Sequence, residues 1–147
     1  LAADLQLNIT TPWVNLDNHV IYQHASSDKL PLPALTLYHN LYYHGCWVKA
    51  LDVQIGVDLR FFTKYNAPLL NPALGQFCVQ NIEQVGNYPV MNVYANFYVR
   101  SIRLRFFAQY QHINRLFMKD NHDYLTMPGY PTNRDVFRAG IAWHFYN

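Results

Sequence analysis

The stretch that decides the fold is LDVQIGVDLRFFTK, residues 51–64. Its odd positions carry Leu51, Val53, Ile55, Val57, Leu59, Phe61 and Thr63, and its even positions carry Asp52, Gln54, Gly56, Asp58, Arg60, Phe62 and Lys64. Because successive side chains of a strand point to opposite faces, this stretch predicts a strand with one apolar face and one mainly polar face. A strand of this length is about twice as long as an ordinary globular strand.

The same alternation recurs along the chain and predicts about seven strands. They are expected at 3–10, 14–25, 35–47, 51–64, 91–101, 102–112 and 135–147, and the first two carry the weakest pattern. No stretch shows the i, i+3, i+4, i+7 spacing of an amphipathic helix. The sequence therefore predicts an all-β fold, an antiparallel meander of long strands.

The connections between these strands alternate between short and long. Residues 48–50 and 100–102 leave room only for tight turns, whereas 26–34, 65–90 and 114–133 are longer and carry Pro, Gly, Asn and Asp. Short turns at one end of the sheet and long loops at the other are typical of a bacterial outer-membrane β-barrel. With a periplasmic C-terminus, every long loop lies outside the cell.

The composition limits the alternatives. Hydrophobic residues make up 51% and charged residues 14%, against about 25% charged in an average soluble domain. The net charge is +2, and the basic residues are scattered, which argues against nucleic acid as a partner. Cys46 and Cys78 form no CxxC pair, and no run of apolar residues is long enough for a membrane-spanning helix. Composition and alternation alone favour a soluble all-β fold and a membrane barrel equally. Strand length and loop asymmetry favour the barrel.

Five runs of sequence carry a resemblance to a known family. They are GVDLRFFTKYNAPLLNPALGQF (56–77), GNYPVMNVYANFYV (86–99), SIRLRFFAQYQHIN (101–114), YPTNRDVFRAGIAWHFYN (130–147) and PALTLYHNLYYH (33–44). Together they resemble the C-terminal part of the outer-membrane porins of Bacteroidetes. One departure is the end of the chain, since outer-membrane proteins generally finish on an aromatic residue and this chain finishes on Asn147.

The resemblance implies that residues 1–147 are the C-terminal fragment of a single transmembrane β-barrel domain with many more strands and a signal peptide. It implies a location in the outer membrane of a Gram-negative bacterium. The expected partners are outer-membrane lipid, the outer-membrane assembly machinery and small hydrophilic solutes. The resemblance leaves a homo-oligomer open, together with the strand number and the identity of the solute.

Strand parity then assigns the two faces of the barrel wall. The polar face is predicted to line the pore, where charges of both signs tune which solutes pass. An equally weighted alternative is that some of the arginines only tie neighbouring strands together. The predicted pore-lining residues are Asp52, Gln54, Asp58, Arg60, Asn92, Asn96, Arg100, Arg103, Arg105, Gln109, Gln111 and Arg138. The predicted lipid-facing residues are Val53, Ile55, Val57, Leu59, Val93, Phe97, Leu104, Phe106, Ile141 and Trp143.

The sequence offers no catalytic constellation, so no enzyme, cofactor or metal is predicted. Ser26, Ser27 and Ser101 lie outside any GxSxG elbow. Asp52 and Asp58 are about 20 Å apart along one strand, too far for an acid and base on one glycosidic bond. His39 and His44 have opposite parity and cannot share a metal. The loop oxygens of Asp120, Asn121 and Asp123 suit Ca²⁺, but a solvated acidic turn is favoured.

Aromatic residues are expected near the strand ends, where interfacial girdles of barrels place them. The candidates are Trp13, Tyr42, Tyr43, Trp47, Trp143, Phe145 and Tyr146. The predicted function is a passive diffusion channel for small hydrophilic solutes. Two alternatives stay open: a soluble or surface-exposed carbohydrate-binding module, and a barrel that acts as a scaffold in an export or assembly complex.

Overall fold

The structure is a computed structural model that describes residues 1–26, 30–118 and 125–145. Within these residues, seven long strands form one antiparallel sheet, and two short hairpins and a 3₁₀ helix lie in the long connections. The strands are β1 (Ala2–Thr10), β2 (Val14–Gln23), β3 (Leu35–Trp47), β4 (Leu51–Phe62), β5 (Leu69–Asn71), β6 (Gln76–Cys78), β7 (Val90–Val99), β8 (Leu104–Gln111), β9 (Leu125–Met127), β10 (Tyr130–Pro131) and β11 (Val136–Trp143), and the 3₁₀ helix is Ile113–Leu116.

The large sheet is a meander in the order β1-β2-β3-β4-β7-β8-β11. Each long strand pairs with its neighbour along the chain, and β1 and β11 form the two edges of an unclosed sheet. The predicted all-β class and the antiparallel meander of long strands are confirmed. Among the described residues no helix is long and apolar enough to cross a membrane.

Several strand ends differ from the sequence-based bounds, among them those of β4, β8 and β11. β4 ends at Phe62, and Thr63 closes it by donating its backbone N–H to the Leu35 carbonyl at 3.0 Å. β8 begins at Leu104 because residues 100–103 form a turn in which Arg103 has a φ of 52°. β11 ends at Trp143. Alternation continued past each of these points, so the pattern alone did not show where pairing stops.

All long connections lie at one end of the sheet. Residues 11–13, 48–50 and 100–103 are the short connections, and 24–34, 63–89 and 112–135 join strands at the opposite end. In the turn between β3 and β4, Val48 and Lys49 both have positive φ angles, 52° and 58°. We call the two ends the turn end and the loop end. This asymmetry agrees with the arrangement that the sequence predicted.

The strand register keeps the two faces separate across the whole sheet. Leu41, Val57 and Val93 are direct neighbours on β3, β4 and β7, and the same row continues to Leu16 on β2 and to Tyr110 on β8. We call the face of this row the apolar face. On the opposite, polar face, Asn40, Asp58 and Asn92 are direct neighbours on the same three strands. Because opposing residues of antiparallel strands share a face, the alternation of apolar and polar residues in each strand of the large sheet matches that of its neighbours, from β1 to β11.

No second layer of structure covers the apolar face among the described residues. Among the described residues only Val53, Ala67 and Val85 are buried apolar residues, and of these Val53 alone lies on the apolar face, because Ala67 and Val85 belong to the connection 63–89. Large side chains on the apolar face are exposed instead, among them Leu5 (63%), Leu41 (50%) and Ile141 (67%). A β-sandwich packs one face of each sheet into a shared core. Within the described residues, the apolar face of this sheet therefore lacks the packed partner layer of a β-sandwich.

Candidate functional site

The polar face carries a row of carboxylates and carboxamides that crosses five strands. Asn8, Asp17, Asn40, Asp58 and Asn92 are direct neighbours on β1, β2, β3, β4 and β7. The Asn40 amide donates to Asp17 Oδ2 at 3.3 Å, and the Asn92 amide donates to Asp58 Oδ1 at 2.8 Å. We call these five residues the amide–carboxylate row. It places two carboxylates on the polar face, and its hydrogen bonds join β2 to β3 and β4 to β7.

Asp58 is the most enclosed charge of this row. It is 6% exposed, although it lies on the open polar face. Its neighbour Asn92 also accepts the His112 backbone N–H on Oδ1 at 3.0 Å, which fixes the orientation of the amide. Arg60 Nε lies 3.8 Å from Asp58 Oδ1, and its guanidinium stands 5.7 Å from the centre of the Tyr38 ring. The Asp58 carboxylate and the largely exposed Arg60 guanidinium are therefore neighbouring opposite charges on the polar face.

A tyrosine crosses β4 on the same face. The Tyr94 hydroxyl, carried by β7, donates to Asn40 Oδ1 on β3 at 2.9 Å. The strand between them contributes Gly56, and a Cβ added there would lie 2.6 Å from the Tyr94 hydroxyl and 2.7 Å from Tyr42 Cβ. Gly56 is thus the position that lets the ring lie across the strand. The polar face predicted for residues 51–64 therefore includes a glycine because a side chain at this position would obstruct the Tyr94 ring.

A shallow cavity of about 350 Å³ lies towards the turn end of the sheet. Its polar lining comes from His44, Asp52, Gln54, Asn96 and Arg105, with Val53, Phe97 and Tyr98 completing it. The Asn96 amide donates to Gln54 Oε1 at 3.2 Å, and the Arg105 guanidinium stands 5.7 Å from the Tyr98 ring centre. The cavity therefore combines amides, an aromatic ring and a cation.

One arginine ties two strands at the turn end. Arg100 donates to Asp52 through Nε at 2.7 Å and through Nη2 at 2.6 Å, a two-point contact between the ends of β7 and β4. The hydrogen bond to the Asp52 carboxylate raises the pKa of Arg100 above its usual value. Such paired geometry is typical of arginine with a carboxylate. This geometry favours the interpretation that Arg100 ties neighbouring strands together over the interpretation that it is a free charge.

The structure places most predicted pore-lining residues together. Ten of them share the polar face of the strands, and they are Asp52, Gln54, Asp58, Arg60, Asn92, Asn96, Arg105, Gln109, Gln111 and Arg138. The other two, Arg100 and Arg103, lie in the turn between β7 and β8. Arg103 therefore does not continue the strand alternation on which its assignment rested.

The residues predicted to face lipid all share the apolar face, but one of them is covered. Val53 is 0% exposed. Its β3 neighbour is Gly45, and the Tyr43 side chain occupies the space beside Gly45 where a Cβ would lie. Its β7 neighbour is Phe97. Larger side chains of the same face thus shield Val53, whereas Ile55, two residues away, is 40% exposed.

All three tryptophans lie at the turn end. Trp13 is in the connection between β1 and β2, and Trp47 and Trp143 are the last residues of β3 and β11. Trp47 Nε1 donates to the Tyr43 hydroxyl at 3.0 Å, and the rings of Trp143 and Phe145 are 4.5 Å apart. Tyr42 does not belong to this group, because it lies on the polar face opposite Gly56. Tyr146 lies outside the described residues.

The remaining candidates for chemistry stay apart. Cys46 and Cys78 are free thiols, and His39 and His44 lie on opposite faces of β3. Within residues 1–26, 30–118 and 125–145, no three His, Cys, Asp or Glu side chains are grouped to hold a metal ion. Ser27, Asp120, Asn121 and Asp123 lie outside the described residues.

Sequence reasoning missed five residues that the structure adds to the polar face: Asn8, Asp17, Tyr38, Asn40 and Tyr94. The two weakest predicted strands and the Tyr-rich β3 carried no clear polar face on their own. The signal that could have found them is the pairing of β3 with β4, because Asn40 and Asp58 are opposite each other.

Comparison with known protein families gives a match over the whole chain. A protein family described as "Putative porin" matches residues 1–147. No curated protein and no solved structure matches the chain.

Proposed function

The chain belongs to this porin family, and on that premise we propose that residues 1–147 form the C-terminal part of one outer-membrane β-barrel in a Gram-negative bacterium of the Bacteroidetes. The complete barrel is a passive diffusion channel for small hydrophilic solutes and has no enzymatic activity. The outer-membrane assembly machinery is its partner during insertion, and outer-membrane lipid is its partner afterwards.

The observation that carries the proposal is the separation of the two faces over seven strands. A row such as Leu41, Val57 and Val93 has a polar counterpart in Asn40, Asp58 and Asn92, one residue away on each strand. Transmembrane barrels alternate in this way because one face meets lipid and the other meets water in the lumen. A soluble sheet with one wet face also alternates, but its apolar face is packed against a second layer.

The two ends of the sheet support an orientation in the membrane. Outer-membrane barrels have short turns on the periplasmic side and long loops outside. Trp13, Trp47 and Trp143 at the turn end then lie at the periplasmic interface, where amphipathic rings are favoured. The hairpins β5–β6 and β9–β10 belong to the external loops.

The polar face supplies the proposed lining. Arg60, Arg105 and Arg138 contribute positive charge, and Asp17 and Asp58 contribute negative charge. Fixed charges of both signs on a pore wall set up a local field, and their arrangement selects among charged solutes. The amides of Gln54, Asn92 and Asn96 add hydrogen-bonding groups that hydrophilic solutes can exchange for water.

The test is single-channel recording on the full-length protein in a planar lipid bilayer. A diffusion channel gives stepwise conductance increments. Neither a carbohydrate-binding module nor a scaffold barrel conducts, so sustained silence from protein that is folded and inserted would contradict the proposal. Copurification with other outer-membrane proteins would then favour the scaffold, and saccharide binding without insertion would favour the module.

A charge variant sharpens this test. Asp58→Asn keeps an oxygen to accept the Asn92 amide but removes a negative charge from the proposed lining. The expected result is a shift of the reversal potential towards anion selectivity in a KCl gradient. Glu83→Gln removes one negative charge from an exposed position in the connection between β6 and β7, and it should leave the reversal potential closer to the wild-type value.

A further inference from the structure

Among the described residues, one hydrogen-bonded pair of an amide and an imidazole interrupts the apolar face. Asn18 on β2 and His39 on β3 are direct neighbours in the register, and His39 Nδ1 lies 2.5 Å from Asn18 Oδ1. On the flanking strands the pair is bordered by Leu7 of β1 and Leu59 of β4. Both polar side chains are half-buried, so each retains surface that another molecule can reach.

The hydrogen bonds define which atoms of the pair are satisfied. Asn18 Nδ2 donates to the Leu7 carbonyl at 3.2 Å, so the atom that faces His39 is the amide oxygen. The oxygen can only accept, and the proton of the neutral imidazole must therefore be on Nδ1. This leaves His39 Nε2 as an acceptor and the second proton of Asn18 Nδ2 as a donor. Neither has a partner among residues 1–26, 30–118 and 125–145.

The depth of the pair decides which partner can satisfy these two groups. His39 is four residues from the loop-end residue of β3, Leu35, and eight residues from Trp47 at the turn end. Four residues correspond to about 13 Å along a strand, or about 9 Å of depth at a barrel tilt of about 45°. In a barrel wall this position is below the headgroups, where lipid chains offer no hydrogen bonds and unsatisfied polar groups are costly.

We propose that Asn18 and His39, with the exposed Leu7 and Leu41 beside them, form the contact between two copies of the barrel in the membrane. The inference rests on the proposed function, because it requires the apolar face to border lipid. A two-fold axis along the membrane normal brings Asn18 opposite the partner's His39. Asn18 Nδ2 then donates to Nε2 of the partner's His39, and the reciprocal bond forms by symmetry.

The patch suits a second copy because it is self-complementary. It offers one donor and one acceptor side by side, and a two-fold contact needs one of each from both partners. Leu7 and Leu41 are 53% and 50% exposed and supply apolar surface around the pair. Hydrogen bonds between two barrels in lipid resemble the polar contacts between membrane helices, which are individually weak and directional.

The first experiment measures association of the full-length porin in mild detergent by sedimentation equilibrium. Wild type is expected to dimerise, and the double variant Asn18→Leu/His39→Leu is expected to raise the dissociation constant about tenfold, since two modest hydrogen bonds are lost. The matched control is His44→Leu, the same substitution on the same strand but on the polar face. It is expected to dimerise as wild type does.

The second experiment tests proximity in native outer membranes. Leu41→Cys is placed in a background in which Cys46, Cys78 and any other cysteine are serine, and a short bismaleimide is added. A dimeric cross-linked band is expected for Leu41→Cys. Ile141→Cys is the control, because Ile141 is more exposed than Leu41 on the same apolar face (67% against 50%) but lies four strands from β3.

The outcomes separate this inference from the proposed function. Wild-type protein that conducts in bilayers but stays monomeric, with no cross-link at Leu41→Cys, overturns the dimer contact and leaves the channel standing. Equal cross-linking at both cysteine positions also overturns it, since it indicates random collision. A specific dimer without conductance supports the contact and contradicts the channel.

Discussion

The Tyr94 hydroxyl reaches across a whole strand to donate a hydrogen bond of 2.9 Å to Asn40 Oδ1. The two residues are 54 positions apart in the sequence and belong to β7 and β3. The ring passes over Gly56 of β4, so three strands of the wall are held by one side chain. This relationship depends on the absence of a Cβ at a single position.

Gly56→Ala is therefore expected to destabilise the sheet. A Cβ at 2.6 Å from the Tyr94 hydroxyl forces the ring to move, and overpacking of this kind costs about 1 to 3 kcal/mol. Urea unfolding in lipid vesicles measures the change. In a Tyr94→Leu background the same glycine substitution should cost less, because the obstructing hydroxyl is gone. Equal costs in both backgrounds would show that the Tyr94 ring does not pack over Gly56.

Val48→Gly is expected to stabilise the protein by about 1 kcal/mol. Val48 has a φ of 52°, a conformation that is costly for a β-branched residue and free of strain for glycine. Its side chain is 91% exposed, so little contact is lost. Val79→Gly, at another exposed loop position, serves as the control and should give no gain. A loss of stability in Val48→Gly would contradict the left-handed turn.

Val57→Arg tests the apolar face. In a barrel, arginine facing lipid near the strand middle costs about 2 to 4 kcal/mol, whereas lumen-facing substitutions are tolerated. Gln54→Arg is the matched variant on the polar face of the same strand. Stability is measured by urea unfolding from vesicles, and the expected order is wild type, then Gln54→Arg, then Val57→Arg. The reverse order of the two variants would show that the faces are assigned the wrong way round.

Leu59→Ala separates lipid contact from a packed core, which Val57→Arg cannot do. Against fluid lipid no protein cavity remains, so we expect the loss of unfolding free energy to be smaller than the ~2 to 5 kcal/mol that is usual for leucine in a core. Val53→Ala is the comparison, because Val53 is fully covered by its neighbours. A loss for Leu59→Ala at the upper end of the core range, in protein that folds without detergent, would reject the membrane barrel.

Asp135 gives the protein an acid-sensitive contact at the loop end. The Tyr110 hydroxyl donates to Asp135 Oδ2 at 2.7 Å, and this hydrogen bond lowers the pKa of the Asp135 carboxyl below its ordinary value. A lowered pKa in the folded state means that the contact stabilises above the ordinary pKa of aspartate and is lost as the pH falls through the lowered value. Carboxyl NMR titration should show the lowered pKa in wild type and a return towards the ordinary value in Tyr110→Phe. An unchanged Asp135 titration in Tyr110→Phe would mean that another group lowers the pKa.

The sequence by itself determined the two faces of each long strand and the positions of the connections. Alternation in 51–64 is a property of the local backbone, because successive side chains of any strand point to opposite faces. It therefore predicted the apolar set from Val53 to Leu59 and the polar set from Asp52 to Arg60 before any pairing was known. The long connections were equally visible from their Pro, Gly, Asn and Asp content.

Only the tertiary structure decided which of these side chains meet. The pairing of Asn18 with His39, the passage of Tyr94 over Gly56 and the cover over Val53 depend on the register between strands that are distant in sequence. The end of β4 at Phe62 and the turn that removes Arg103 from β8 depend on where neighbouring strands stop. A one-residue change of register would invert every facing pair, so no pattern within a single strand could have determined these contacts.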